Sequence, residues 1–202
     1  MVRYGMVIDL RRCIGCGSCA MACKVANGTP PGIFWLRLIY RELGKYPHAR
    51  IDAIPINCMQ CKEPACQKVC PTGATQIRDD GIVIIDDTKC VGCRFCMIAC
   101  PYGVRFFLDK ERTYFPGYKT PFEEVKYQRH KVGVVSKCDF CLERREKQKL
   151  NPACVDVCPC AARYFGDLDD PKSEVSKLIA QHRATQLRPE LGTDPSVYYI
   201  MA

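Results

Sequence analysis

The sequence predicts an α+β fold of two similar halves, each with small antiparallel sheets and short helices, plus an inserted loop and a C-terminal helix with an extended tail. Three observations carry that reading. Sixteen of the 17 cysteines fall into four groups of like layout, which makes an internal repeat. Strand-like stretches, alternating apolar and polar residues, flank the groups. Short helix-favouring runs close them.

In chain order, Tyr4-Gly5-Met6-Val7-Ile8-Asp9 reads as a strand feeding the first group, Cys13-x2-Cys16-x2-Cys19-x3-Cys23. Gly15 and Gly17 let that loop's backbone approach a cofactor closely. Ala20, Met21 and Ala22 favour a helix from Ser18, which Asn27-Gly28 and then Pro30-Pro31 end. Residues 33–57 read as two strands joined through Gly44 and Pro47. His48 lies in that connection and reads as a surface residue, because cysteines already suffice for ligation. The second group is Cys58-x2-Cys61-x4-Cys66-x3-Cys70-Pro71. Residues 74–86, turning at Asp79-Asp80-Gly81, form a β-hairpin. The third group follows, Cys90-x2-Cys93-x2-Cys96-x3-Cys100-Pro101.

Residues 108–131 are polar and aromatic, with Pro116-Gly117 and Pro121, and predict an inserted surface loop. Its Tyr114, Phe115, Tyr118, Phe122 and Tyr127 are expected to pack within the chain more than to meet a partner. Val132 to Val135 resumes a strand. The last group is Cys138-x2-Cys141-x12-Cys154-x3-Cys158-Pro159, with a charged helical spacer over Leu142 to Leu150. Asp170 as N-cap and Pro171 at the first helical position predict a final helix, with Val175, Leu178, Ile179 and His182 on one face. Gln186 to Gly192 is extended, placed to wrap the body or a partner, and Ser196 to Ile200 is a last strand. The organisation expected is residues 1–57 with 132–170 as one half, including a strand insertion at 33–57. Residues 58–107 make the other half, 108–131 the inserted loop, and 171–202 the helix and tail.

Cysteine at this density means disulfides, zinc or iron–sulfur clusters. Disulfide frameworks belong mainly to small secreted domains. Zinc fits poorly, since each group ends in Cys-x3-Cys and three of them continue into Pro. The third group has the C-x2-C-x2-C-x3-C-P spacing of bacterial two-cluster ferredoxins, whose fourth cysteine ligates the other [4Fe–4S] cluster. That exchange assigns Cys58, Cys61, Cys66 and Cys100 to one cluster and Cys70, Cys90, Cys93 and Cys96 to another. By elimination, Cys13, Cys16 and Cys19 take Cys158, while Cys138, Cys141 and Cys154 take Cys23. Both halves are thus ferredoxin-like, of βαββαβ type, and the chain carries four [4Fe–4S] clusters, with iron as its only metal. Cys160 sits where the second group has Thr72 and reads as a packing residue.

A length of 202 residues allows one compact domain or two small ones. Apolar content is 48 %, but the cysteines are part of it, so bound cofactor does part of the core's work. The formal charge of +8 admits nucleic acid as a partner. Four clusters at roughly −2 each compensate that charge instead, and nucleic acid is not expected. No apolar run approaches the roughly 18 residues of a membrane span. No signal peptide is expected at the N-terminus; Arg11-Arg12 runs into Cys13 rather than an apolar stretch. The sequence offers no Gly-rich phosphate loop and no nucleophile–base set, hence no catalytic residues. Coordinatively closed redox centres in series make a wire. Lys24, Lys89, Arg94 and Lys137 adjoin ligands and raise cluster potentials if they point inward.

The order and spacing of the four groups resemble the four-cluster iron–sulfur subunits of the molybdopterin oxidoreductase (dimethyl sulfoxide reductase) superfamily. Polysulfide and respiratory arsenate reductase subunits are the nearest in look. Met6-Val7-Ile8-Asp9, Cys70-Pro71-Thr72-Gly73-Ala74, Cys100-Pro101-Tyr102-Gly103, Asn151-Pro152-Ala153-Cys154 and Phe165-Gly166-Asp167-Leu168-Asp169-Asp170-Pro171 extend the resemblance. Lys24 follows the fourth cysteine of the first group, where the other groups have Pro. The resemblance implies electron transfer between a molybdopterin catalytic subunit and a quinone-binding membrane subunit or another carrier. It implies that the Cys13 cluster is proximal to the catalytic subunit and the Cys90 cluster distal. Some relatives carry Trp at the position of Cys93 and a [3Fe–4S] cluster; Cys here implies [4Fe–4S]. The resemblance also implies the extracytoplasmic face of the membrane, reached by co-export with the catalytic subunit; a cytoplasmic site is the alternative. The competing functional reading is a free-standing soluble polyferredoxin, and a third is a basic zinc module.

Overall fold

The computed structural model describes residues 2–201; Met1 and Ala202, the ends of the first and last predicted segments, lie outside the described residues. Strand β1 (Tyr4–Asp9) is followed by the first cysteine loop and helix α1 (Ser18–Asn27). Gly28 ends α1 in the left-handed conformation at φ 58°, which closes the helix where Asn27-Gly28 predicts. Strands β2 (Leu36–Leu43) and β3 (Arg50–Asn57) form the expected antiparallel hairpin, with exposed His48 in its connection. Residues 58–107 then run α2 (Ala65–Lys68), β4 (Thr75–Ile77), β5 (Val83–Ile85), α3 (Phe95–Ala99) and β6 (Phe106–Phe107), with β4 and β5 antiparallel.

The insertion is not wholly loop. It contains α4 (Pro121–Lys126), opened by a capping box in which the Thr120 hydroxyl accepts from Glu123 N–H and the Glu123 carboxylate accepts from Thr120 N–H. The signal was present as Thr-Pro-x-Glu, hidden by the surrounding aromatics. Four of those aromatics are exposed, against the expectation of packing; Tyr127 is half-buried against Phe122.

Strand β7 (Val135–Ser136) starts later than Val132, because the chain first loops through Gly133 at φ 82° to bond Leu108. It pairs with β6. Helices α5 (Leu142–Gln148) and α6 (Ala153–Asp156), then β8 (Arg163–Asp167), follow. The final helix α7 (Glu174–His182) begins three residues beyond the predicted start. Asp170 instead closes a turn on Lys172 N–H, and Ser173 is the cap, accepting from Ser176 N–H. Val175, Leu178 and Ile179 share the apolar face and pack with Val7 and Ile200.

The tail decides the main sheet. After β9 (Thr185–Gln186), residues 187–196 cross the second half and return as β10 (Val197–Ile200). Strand order is β8-β1-β10-β9, with β10 parallel to β1 and the other pairs antiparallel. This parallel pair departs from the all-antiparallel expectation. Met6, Val7 and Ile8 are consequently buried on both faces, with Met6 and Ile8 in the main core and Val7 under α7. Along the way Lys62 N–H and Glu63 N–H bond the carbonyls of Asp194 and Thr193, and the Tyr102 hydroxyl meets Thr193 at 2.7 Å. The tail therefore laces residues 58–107 to the main sheet.

Candidate metal centres

Short loops and the helices they lead into deliver the sulfurs. The β1–α1 loop brings Cys13, Cys16 and Cys19 to one cavity, and the turn after α6 adds Cys158. Gly17 turns the loop into α1 at φ 77°. Cys138, Cys141 and Cys154 gather with Cys23, all four buried. Asn27 Nδ2 lies 3.6 Å from Cys23 Sγ and 3.5 Å from Cys141 Sγ. Cys58, Cys61, Cys66 and Cys100, the third quartet, line a cavity of their own. Cys70, Cys90, Cys93 and Cys96, the fourth quartet, line another. Every predicted site residue thus stands in a quartet. Cys160 lines the first cavity as Thr72 lines the fourth.

The donor sets suit clusters. Among the described residues, no three His, Cys, Asp or Glu converge closely enough for a single ion. In each quartet four sulfurs gather instead, and all 17 cysteines are free of disulfides. Burial and the neighbouring thiols of Cys154 and Cys141 push the Cys23 thiol well above its ordinary value. Burial, with Cys58 beside it, pushes Cys61 up to about 12. Buried thiols that raise one another favour a positively charged metal body over four free protons. Backbone amides already aim at sulfur: Phe140 N–H at Cys138 and Ala162 N–H at Cys158. Burial works upward on Cys70, but the amides of Thr75, Thr72 and Ala74 and the Thr72 hydroxyl outweigh it, bringing that thiol to about 7.

The quartets are neighbours in series. Cys19 and Cys154 face the same guanidinium, that of Arg163. Gln60, in the loop of the third quartet, donates to the Cys138 carbonyl of the second at 2.8 Å. Cys66 and Cys96 face Arg105. Of the sixteen sulfurs only those of Cys16 and Cys93, in the first and fourth quartets, belong to exposed residues. Around them stand exposed apolar side chains: Ile14 at one end, Val91, Phe95 and Ile98 at the other.

The basic residues flagged by adjacency behave differently from one another. Lys137 is buried and turned inward, donating to the carbonyls of Val83 and Cys138. Lys24 spends its ammonium on the carbonyls of Thr29, Pro30 and Ile33. Lys89 pairs with Asp86 at the surface, and Arg94 stacks on Phe107. Adjacency to a ligand missed Arg105 and Arg163. Their shared signal is the offset, five positions after Cys100 and five after Cys158.

Comparison with known proteins bears on these quartets. A 4Fe-4S dicluster domain family matches residues 49–115 and 118–168, and a 4Fe-4S binding domain family matches residues 4–25. The chain is 42 % identical to a selenate reductase subunit of Mesobacillus selenatarsenatis, over 98 % of this chain and 72 % of that protein. It is 41 % identical to the arsenate respiratory reductase iron-sulfur subunit of a Shewanella species, over 98 % and 96 %. A tetrathionate reductase subunit of Salmonella typhimurium is 39 % identical, over 98 % and 72 %.

Proposed function

This chain belongs to the iron–sulfur subunit family of the molybdopterin oxidoreductases, and on that premise we propose that its four quartets hold four [4Fe–4S] clusters relaying electrons between two partners. The observation that carries this reading is the exposure pattern. Cys16 and Cys93, in the two end quartets, are the exposed ligands, while the second quartet is wholly buried and the third has no exposed cysteine. A wire needs an entry and an exit and insulation between them.

Each cluster supplies one-electron redox chemistry at a closed coordination shell. The chain's own residues do the rest. Sixteen thiolates fix the clusters, backbone amides and Asn27 donate to sulfur, and the apolar core excludes water from the middle of the series. We assign the molybdopterin catalytic subunit to the Ile14 end. A quinone-binding membrane subunit, or another carrier, belongs at the Ile98 end. No helix of the described residues is long and apolar enough to cross a membrane. We also propose the extracytoplasmic face of the membrane as its place of work; protease accessibility in spheroplasts tests it, with full protection pointing to the cytoplasm.

Anaerobic native purification tests the subunit reading. The expected result is a complex containing molybdenum and about sixteen irons per copy of this chain, from four clusters of four. A chain that runs alone at monomer mass, with full iron and no molybdenum-containing partner, makes it a free-standing polyferredoxin instead. Four zincs and no iron overturn the cluster reading altogether.

A further inference from the structure

Arg163 is 4 % exposed. One of its nitrogens, Nη2, meets Asn57 Oδ1 at 2.8 Å and Met6 Sδ at 3.0 Å. The others, Nε and Nη1, are buried without a partner. It lines the first quartet's cavity and faces Cys154 of the second. Arg105 is 3 % exposed and stands in the other half at the same offset from its own fourth cysteine. It donates to Cys66 Sγ at 2.9 Å and to Thr75 Oγ1 at 3.1 Å, and it lines both the third and the fourth cavity. Between the second and third quartets sits Lys137, next to Cys138 in sequence, its ammonium on Val83, which lines the third cavity.

A buried cation with no anion is strongly unfavourable. The hydrogen-bond partners of these three are a hydroxyl, an amide, carbonyls and sulfur, none of them a carboxylate. Something anionic must stand beside each, and the thiolate-ligated clusters are the anions adjacent to all three.

We infer that Arg163, Lys137 and Arg105 are positioning residues, one in each gap of the series, whose buried positive charges hold the flanking cluster pairs at raised reduction potentials. This rests on the reading that each quartet holds a [4Fe–4S] cluster. A cation beside a cluster favours the added electron, and one cation shared by two clusters favours it on both. The repeat supports the assignment: the two arginines occupy equivalent positions in the two halves, at the entry to β8 and β6.

The test uses the intact complex, with iron and sulfide counted first and each cluster followed by EPR-monitored redox titration. Arg163→Gln is expected to shift two clusters to more negative potential, and Arg105→Gln the other two. Lys137→Met is expected to shift one cluster from each pair. Arg163→Lys and Arg105→Lys, which keep the charge, should shift less than the Gln variants. Full iron with unmoved potentials in both Gln variants overturns the inference, as does an equal shift in Lys and Gln variants. If a Gln variant loses its pair of clusters, retention in the Lys variant supports a role for charge; loss in both means shape, and overturns it. Wild-type complex with fewer than four clusters instead overturns the reading on which the inference rests.

Discussion

Gln60 donates its side-chain amide to the Cys138 carbonyl at 2.8 Å and accepts the Val83 amide at 2.9 Å, so one fully buried side chain fastens the second quartet to the third. Both bonds are shielded from water, and cutting the side chain back leaves the Val83 N–H unpaired and the Cys138 carbonyl with the Lys137 ammonium alone. Gln60→Ala is expected to cost about 1–3 kcal/mol. Thermal loss of the visible cluster absorbance, followed anaerobically, should show an earlier midpoint; a midpoint equal to wild type contradicts the role.

Exchange of the fourth cysteine gives a second test. Cys70 lies in the second group but faces the cavity of Cys90, Cys93 and Cys96. Cys70→Ser should therefore perturb the cluster of the third group. An EPR series in which the loss is confined to the cluster of Cys58, Cys61 and Cys66 speaks against the arrangement.

Asn27 tunes the second quartet without ligating it. Its amide is aimed at the sulfurs of Cys23 and Cys141, and its oxygen accepts from Arg129 at 3.3 Å. A sulfur relieved of a hydrogen bond holds an added electron less well. Asn27→Leu should move that cluster negative by roughly 40 mV, the one-electron equivalent of about 1 kcal/mol. Redox titration reads the shift; a move in the positive direction rules the assignment out.

The exposed apolar tips separate the two partners. Ile14→Glu and Ile98→Glu alter side chains 69 % and 83 % exposed, so stability should change by no more than about 0.5 kcal/mol. Ile14→Glu should release the catalytic subunit on co-purification, and Ile98→Glu the partner at the other end. Retention of both partners by both variants removes the two ends as docking sites.

His130 ties the insertion to the body. Burial, with Arg129 and Lys24 nearby, lowers its pKa below the ordinary histidine value despite its bond to the Asn27 carbonyl. The folded state therefore binds fewer protons than the unfolded state just below that ordinary value. Its contribution to stability is complete above about pH 6.5 and is lost as pH falls through the folded pKa. His130→Gln should flatten the dependence of cluster-loss temperature on pH between about pH 7 and 5; an unchanged slope assigns the effect elsewhere.

Much of the architecture was legible because it is local. Asn27-Gly28 ends α1 since glycine enters the left-handed region freely, and the hairpin over 74–86 follows from its turn. The final helix starts at Ser173 rather than Asp170 because the serine hydroxyl reaches the Ser176 amide while Asp170 is used in the preceding turn. Helix α4 went unread amid exposed aromatics, although its capping box is written in Thr120 and Glu123.

The spacing of the cysteines by itself determined which sulfurs meet within a loop, because a few residues of chain can reach only a few ångströms. Tertiary structure alone decided what lies between the quartets. Arg163 reaches the first gap through the register of β8 on β1, and the tail sets β10 parallel to β1 after crossing the other half. Lys137 reaches the middle gap by burial against Val83, a residue 54 positions away. Such contacts bring together charges far apart in sequence, and their energy depends on water being excluded from the gap, which only the assembled core accomplishes.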